Sequence, residues 1–139
     1  MLSTIDLSHC SIIGGGAFYN CTSLTDLKLL NVKQTEWTTG YENYQSCKVG
    51  SFMNCNNLTS VDLGSIQKLG ERTFYGCTSL KEITLPETIT NLGWECFCGT
   101  TIVTSMATVP PVIDKSEKET SSIPTVSYTH LTLPTTSIV

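Results

Sequence analysis

Cysteines and histidines are the residues of this 139-residue sequence with the greatest capacity for chemistry. The seven cysteines are Cys10, Cys21, Cys47, Cys55, Cys77, Cys96 and Cys98. An odd number of cysteines does not fit a closed disulfide framework. Cys21, Cys55 and Cys77 stand 34 and 22 residues apart, and these distances match no paired metal-ligand spacing. We therefore predict no metal site, and we expect Cys21, Cys55 and Cys77 to be small apolar side chains in a core.

Two further arrangements of cysteine could be reactive. Cys96 and Cys98 flank Phe97, so strand alternation would place both thiols on the side opposite its ring. They could form a reactive or crosslinking pair, and otherwise we expect exposed free thiols. His9 beside Cys10 could suggest a cysteine hydrolase, but adjacent strand residues face opposite ways and no nucleophile turn or orienting carboxylate accompanies them. We expect His9 to be a turn residue, and we predict no catalytic residue and no cofactor.

The composition argues against nucleic-acid binding and against a membrane span. The net charge is −4 and only 14% of the residues are charged, so the chain carries no basic surface for nucleic acid. Apolar residues make up 40% of the chain, yet no apolar run approaches the roughly 18 residues of a membrane span. The length allows one domain with one core.

An internal repeat organises the chain. Its marker residues are Phe18, Phe52, Phe74 and Phe97, which stand 34, 22 and 23 residues apart. The third residue after each is Cys21, Cys55, Cys77 or Thr100, and the sixth is Leu24, Leu58, Leu80 or Val103. The ninth residue after each phenylalanine is Leu27, Val61, Ile83 or Met106. An apolar residue followed by glycine precedes each phenylalanine, at 13–14, 49–50, 69–70 and 92–93.

This repeat predicts a solenoid. Alternating apolar positions, as in Leu58-Thr-Ser-Val-Asp-Leu63, are typical of a half-buried strand. One unit cannot bury its apolar side alone, so stacked units would form parallel strands with like side chains in ladders. We predict a leucine-rich-repeat solenoid, α/β to mainly β, built from 22–23-residue repeats with short helical or extended segments on the back.

Several phrases carry a family resemblance. Phe-Tyr-Asn-Cys-Thr-Ser-Leu at 18–24 and Phe-Tyr-Gly-Cys-Thr-Ser-Leu at 74–80 resemble the BspA-type leucine-rich repeat. The segment Lys81–Gly93 follows that family's strand–Pro–strand–Gly phrase, and Met106–Pro111 resembles the Pro-Pro ending of such arrays. The resemblance implies a secreted or cell-surface protein of a host-associated bacterium or protist, with a role in adhesion to host matrix proteins or cells.

The predicted organisation has three parts. Residues 1–113 hold about five repeats, 114–125 form a polar linker or an interrupted repeat, and 126–139 resemble a translated sequencing adapter. We expect the last segment, which includes His130, to be an artefact at the end of a gene fragment. An array with uncapped ends would also be prone to self-association.

The exposed face of the strands is one candidate binding surface. One column there holds Thr4, Asp26, Ser60 and Glu82, and the other holds Asp6, Lys28, Asp62 and Thr84. Parallel alignment would place Lys28 between Asp6 and Asp62, close enough for ion pairing. This strip could contact a protein or glycan, or it could be a solvated sheet face with self-neutralising charges.

The second candidate is an insertion. The 34-residue step exceeds the 22-residue period by 12 residues, and the excess lies near 33–47. It contains Trp37, Tyr41 and Tyr44, which are of types enriched at binding hot spots. Such insertions emerge as loops that often bind partners. Alternatively, the three rings fold over the edge of the repeat and shield it.

The predicted function is non-catalytic recognition, by resemblance as part of a microbial surface adhesin. The partner would be a protein ligand such as a host matrix or cell-surface protein. Two alternatives stay open: a structural spacer array, and an accessory repeat region of a larger enzyme.

Overall fold

A computed structural model describes residues 3–42, 45–100, 102–114 and 128–130. These parts form twelve short β-strands and no helix. The strands are β1 (Ile12–Ile13), β2 (Asp26–Lys28), β3 (Gln34–Thr35), β4 (Trp37–Glu42), β5 (Gln45–Gly50), β6 (Ser60–Asp62), β7 (Lys68–Leu69), β8 (Glu82–Leu85), β9 (Asn91–Leu92), β10 (Ile102–Ser105), β11 (Val112–Ile113) and β12 (Tyr128–His130). The chain is a parallel-strand solenoid of about four turns, which confirms the predicted fold class.

The back of the solenoid is a five-stranded parallel sheet in the order β1-β3-β7-β9-β11. Its inward column contains Ile13, Thr35, Leu69 and Leu92, all buried. Its outward column contains Ile12, Gln34, Lys68, Asn91 and Val112, which lie in register on neighbouring strands. Each strand has only two residues, because the chain must turn twice in every repeat of about 22 residues.

The front of the solenoid carries two parallel sheets, β2-β6 and β8-β10-β12. Asp26 pairs with Ser60 and Lys28 pairs with Asp62, as the repeat register predicts. The last repeat departs from that register, because Val103 pairs with Ile83 instead of falling in the column of Leu80. Ser105 therefore lies opposite Leu85, a position that the repeat pattern does not predict for it. The assignment of Met106 to the column of Ile83 is wrong, because Val103 occupies that column.

Stacked aromatic rings and apolar columns fill the interior. The rings of Phe18, Phe52, Phe74 and Phe97 stack with centroid distances of 5.1, 5.7 and 6.3 Å. Phe52 and Phe74 are fully buried, as are Leu24, Leu58 and Leu80 in the column that begins each front strand. Like side chains meet between turns because the turns stack in register, which gives the interior its close packing.

The turns after the back sheet hold the stack together through their backbones. Alternate amides of one turn donate to carbonyls of the next, as from Phe18 to Ser51, Phe52 to Thr73 and Phe74 to Cys96. The second residue after each phenylalanine has a positive φ and is Asn20, Asn54, Gly76 or Gly99. Asparagine and glycine tolerate this left-handed conformation best, so the turn explains the residue types at that position.

The insertion is a β-hairpin rather than a loop. β4 and β5 pair antiparallel, from Trp37 opposite Gly50 to Glu42 opposite Gln45. Val49 and Gly50 end this hairpin, so their assignment to the apolar-glycine column is wrong. Thr35 occupies the corresponding inward position of the back sheet. Its hydroxyl is buried and lies 2.7 Å from that of Thr73, which satisfies a polar group in an otherwise apolar column.

The cysteine predictions have mixed outcomes. Cys55 and Cys77 are fully buried, and each Sγ lies 3.2 Å from a carbonyl of the preceding turn, which confirms the core assignment. Cys21 is only half-buried, at the first turn of the stack. Cys96 is 5% exposed, so the expectation of an exposed thiol there is wrong, while Cys98 is partly exposed. Cys96 belongs to a turn rather than a strand, and strand alternation therefore does not apply to it.

Residues at the two ends are described in part. His9 is exposed in a turn, as predicted. Leu2, Ile5 and Leu7 stand 22 residues before Leu24, Leu27 and Leu29 and belong to the same repeat columns. Leu7 is buried and Ile5 packs against the core, whereas Leu2 lies outside the described residues. Most of the predicted tail, 126–139, also lies outside them; β12 pairs in parallel with β10 along the edge of the front sheet. The adapter origin of this segment stays a prediction. No helix capable of crossing a membrane occurs in the described parts of the chain.

Candidate functional site

The predicted strand-face strip is present on β2, β6 and β8. The side chains of Asp26, Lys28, Ser60, Asp62, Glu82 and Thr84 are all exposed. They alternate with buried residues such as Leu27 and Ile83, whose packing fixes the orientation of each strand. We call these six residues the front strip. Thr4 and Asp6 are exposed on the segment preceding β1, which forms no strand, so they do not extend the paired columns.

Hydrogen bonds within single turns take the place of the ion pairs expected on this face. Lys28 lies opposite Asp62, but the described residues form no ion pair between Lys28 and either Asp62 or Asp6. Each carboxylate instead accepts a hydrogen bond from its own turn, Asp62 from the amide of Gly64 and Asp6 from that of Ser8, both at 2.9 Å. Hydrogen bonds from the side chain and backbone of Ser8 lower the pKa of Asp6. The predicted ion pairing fails because these local bonds cost no ordering of a lysine side chain.

A cleft interrupts the strip between β6 and β8. The two strands are neighbours, but no backbone hydrogen bond joins them in the described chain. The cleft has a volume of about 330 Å³, and it is lined by Val61, Asp62, Leu63, Gly64, Thr84 and Pro86. Val61 is half-buried there, whereas Leu27 and Ile83 at the equivalent positions are 2% and 3% exposed. The cleft therefore offers an apolar side chain and unpaired backbone groups at the centre of the strip.

Sequence reasoning missed the part of this surface that β10 contributes. Ile102 lies opposite Glu82 and is 45% exposed, and Thr104 lies opposite Thr84. The shortened last repeat hides these residues from a search that assumes a constant period. The sequence signal that could have found them is the similarity of Val103-Thr104 to Ile83-Thr84, which stand 20 residues earlier.

The hairpin positions one of its three predicted aromatic residues at its base. Trp37 is 43% exposed, and the Nζ atom of Lys48 lies 4.4 Å from the centroid of its ring. The same Nζ is 2.6 Å from a carboxylate oxygen of Glu71 in the next repeat. Tyr41 lies farther along β4, opposite Ser46, and Tyr44 is outside the described residues. The structure thus shows how Trp37 is held, whereas the side chains of Tyr41 and Tyr44 lie outside what it describes.

A line of charged side chains ties the hairpin to the turns behind it. Arg72 donates from Nε to Glu95 at 2.8 Å and from a terminal nitrogen to the carbonyl of Lys48 at 3.3 Å. Its guanidinium also lies over the ring of Tyr75, 5.3 Å from the centroid. Arg72 and Glu95 both have a positive φ, a backbone conformation that costs free energy for a residue with a Cβ. The hydrogen bond between their side chains helps to hold the two turns in this conformation. These contacts fix the base of the hairpin against the array.

No cluster of potential metal ligands occurs in the described parts of the chain. Two of the buried cysteines are poorly suited to act as nucleophiles. Burial raises the pKa of Cys55 to about 11 and that of Cys77 to about 12, which disfavours the thiolate at neutral pH. The exposed side chains of the front strip can be presented to a partner.

Comparison with protein families gives one result. The model of the BspA type leucine rich repeat region matches residues 1–115 in six copies. Searches of curated proteins and of solved structures found no match. The family match spans β1 to β11 with their turns and the hairpin, whereas β12 lies outside it, and the stacking of repeats of about 22 residues is the architecture that the family represents. The chain belongs to the BspA-type leucine-rich repeat family.

Proposed function

We propose that this array is a non-catalytic recognition module of a microbial cell-surface adhesin, and that its front strip binds a protein of the host matrix or host cell surface. The observation that carries the proposal is the alignment of exposed polar side chains on a scaffold with fully buried leucines beneath them. A rigid scaffold lowers the entropy cost of binding. Leucine-rich repeats of this family also commonly act as protein-binding modules.

The composition of the front strip supports a protein partner. Protein interfaces combine a small apolar centre with a polar rim. Val61 and the cleft beside it would accept an apolar side chain, and Ile102 adds exposed apolar surface next to Glu82. Asp26, Asp62 and Glu82 make the rim acidic, so a partner with basic residues at its edge would associate fastest at low salt.

Binding of the full-length chain to immobilised matrix proteins and to cultured host cells tests the proposal. We expect Asp62→Lys and Glu82→Lys to weaken binding at least fivefold, because each places a positive charge on the strip. Glu87→Lys is the matched control, since Glu87 is an exposed carboxylate in the turn after β8, and it should bind as the unchanged protein does. Circular dichroism would verify that the variants fold.

Three results would contradict the proposal in different ways. Loss of binding only when Trp37, Tyr41 and Tyr44 are all replaced by alanine would move the contact to the hairpin. Failure of the unchanged protein to bind any matrix protein or cell would favour a structural spacer. Equal weakening by Glu87→Lys would show a general charge effect and no specific strip.

A further inference from the structure

The back of the solenoid carries a groove that the front strip does not use. It has a volume of about 340 Å³ and is lined by side chains of Gln34, Glu36, Trp37, Lys68, Asn91 and Asp114. Thr35, Leu69 and Gly70 complete the lining. Thr35 and Leu69 are buried at 3% and 2% exposure, so the groove rests on the packed inward column of the back sheet.

The polar groups of the groove form a regular row. Gln34, Lys68 and Asn91 lie in register on β3, β7 and β9, and adjacent strands of a sheet are about 4.8 Å apart. The row therefore presents an amide, an ammonium and a second amide at even spacing. Gln34 donates to Glu36 at 3.1 Å, which leaves the amide oxygen of Gln34 as an acceptor. The backbone amide of Asp114 donates a hydrogen bond of 2.8 Å to the carbonyl of Leu92 on β9.

Trp37 lines the same groove and is partly exposed. Its ring is held from one side by Lys48, and Lys48 is held in turn by Glu71, whose side chain is only 12% exposed. The position of the indole is thus set before any ligand arrives, although 43% of the residue is exposed. A surface tryptophan with a fixed orientation provides a flat apolar area at a low cost in entropy.

We infer that this groove binds a neutral saccharide unit of a glycan. A pyranose ring combines a flat face of C–H groups with a rim of hydroxyls that both donate and accept hydrogen bonds. The indole of Trp37 complements the face, and the amides and carboxylates complement the rim. An anionic ligand would meet the carboxylates of Glu36 and Asp114, which outnumber the single ammonium of Lys68. An apolar ligand would leave the polar groups of the groove without partners.

The test uses the full-length chain and a panel of neutral oligosaccharides of glucose, galactose, mannose and N-acetylglucosamine, with heparin and a basic peptide as other ligand classes. Saturation-transfer NMR would detect binding. Tryptophan fluorescence would locate it, because Trp94 is 6% exposed and Trp37 is the exposed indole. We expect at least one neutral oligosaccharide to bind and to change the emission.

Variants separate the groove from the front strip. Asn91→Ala combined with Gln34→Ala should weaken saccharide binding at least fivefold, and Trp37→Ala should weaken it at least tenfold. Asp62→Lys, on the front strip, should leave it unchanged, so that this test and the test of protein binding fail independently. No binding of any neutral oligosaccharide, binding that survives Trp37→Ala, or a preference for heparin or the basic peptide would overturn the inference.

Discussion

At the scale of single residues, Phe52 and Phe74 have the largest fully buried side chains in the described interior. Phe74 is fully buried between Phe52 and Phe97 and stacks on both rings. Removing such a ring leaves a cavity that the rigid turns on either side close only in part. We predict that Phe74→Ala lowers the free energy of unfolding by about 3–5 kcal/mol, measured by urea denaturation. Phe18→Ala is the control, and it should cost clearly less because Phe18 is only half-buried; equal losses would contradict the prediction.

The buried thiols predict a loss of stability in alkaline solution. The ordinary pKa of a cysteine thiol is 9.0, and burial raises the pKa of Cys77 to about 12. In the unfolded chain the thiol ionises above pH 9, whereas in the folded chain it retains its proton, so folding becomes less favourable as the pH rises from 9 toward 12. The loss is about 1.4 kcal/mol per pH unit for this group.

Urea denaturation at intervals from pH 8 to 11, under reducing conditions, measures that dependence. Cys77→Ala should flatten it relative to the unchanged protein, because one shifted group is removed. Cys98→Ala is the comparison, and it should flatten the dependence less, because burial also raises the pKa of Cys98 but leaves this thiol partly exposed. Identical slopes for the unchanged protein and Cys77→Ala would contradict the assignment of Cys77 to a desolvated site.

Residue types explain where sequence reasoning succeeded and where it failed at this scale. The inward and outward columns of β2, β6 and β8 could be predicted because apolar and polar residues alternate there without exception. Thr35 could not be placed in the inward column, because only the structure reveals the buried partner, Thr73, that satisfies its hydroxyl. Cys96 was misplaced because alternation applies to strands and not to turns.

At the scale of elements, the hairpin forms its own two-stranded sheet outside the stacked parallel sheets. Trp37 and Gly50 lie opposite each other at its base, so the chain enters and leaves at neighbouring points. We predict that deleting residues 38–49, which joins Trp37 to Gly50 and restores a 22-residue step, leaves a folded array. The deletion removes the partly exposed pair of Lys48 and Glu71, and it also removes the contacts of Lys48 with Trp37 and Arg72. The stability should therefore fall by only about 1–3 kcal/mol.

Circular dichroism and thermal unfolding of the deletion variant measure this. Glu71→Gln is combined with the deletion so that no carboxylate loses its partner. A collapse of the cooperative transition would show instead that the hairpin is part of the folding unit. The size and place of the insertion were predictable from the 12-residue excess, but its pairing was not, because nothing in the repeat pattern constrains a segment outside the stack.

At the scale of the whole molecule, the two outer strands of the back sheet leave apolar side chains exposed. Ile12 on β1 is 53% exposed, and Val112 and Ile113 on β11 are 61% and 44% exposed. In the first turn, the carbonyls of Gly15, Ala17 and Tyr19 accept no hydrogen bond from the described residues, although the equivalent carbonyls of later turns do. A strand edge of this kind is a template for a further strand.

These two edges predict head-to-tail association of copies of the chain. β11 of one copy would pair with β1 of the next and continue the parallel order of the sheet, and a contact of this kind joins different surfaces and does not close on itself. Sedimentation velocity should therefore show a mass that rises with concentration. Ile12→Lys alone and Val112→Lys alone should each give monomers, while Leu30→Lys, a change of an exposed leucine after β2, should leave the association intact.

Mixing the two single variants provides the sharpest form of this prediction. Ile12→Lys retains a normal β11 edge and Val112→Lys retains a normal β1 edge, so an equimolar mixture has one productive contact and should stop at a dimer. Monomers in the mixture would show that the edges do not pair with each other. Association of either variant alone would place the contact elsewhere on the molecule. A dimer, by contrast, would mean that the register which stacks the repeats within one chain also operates between chains.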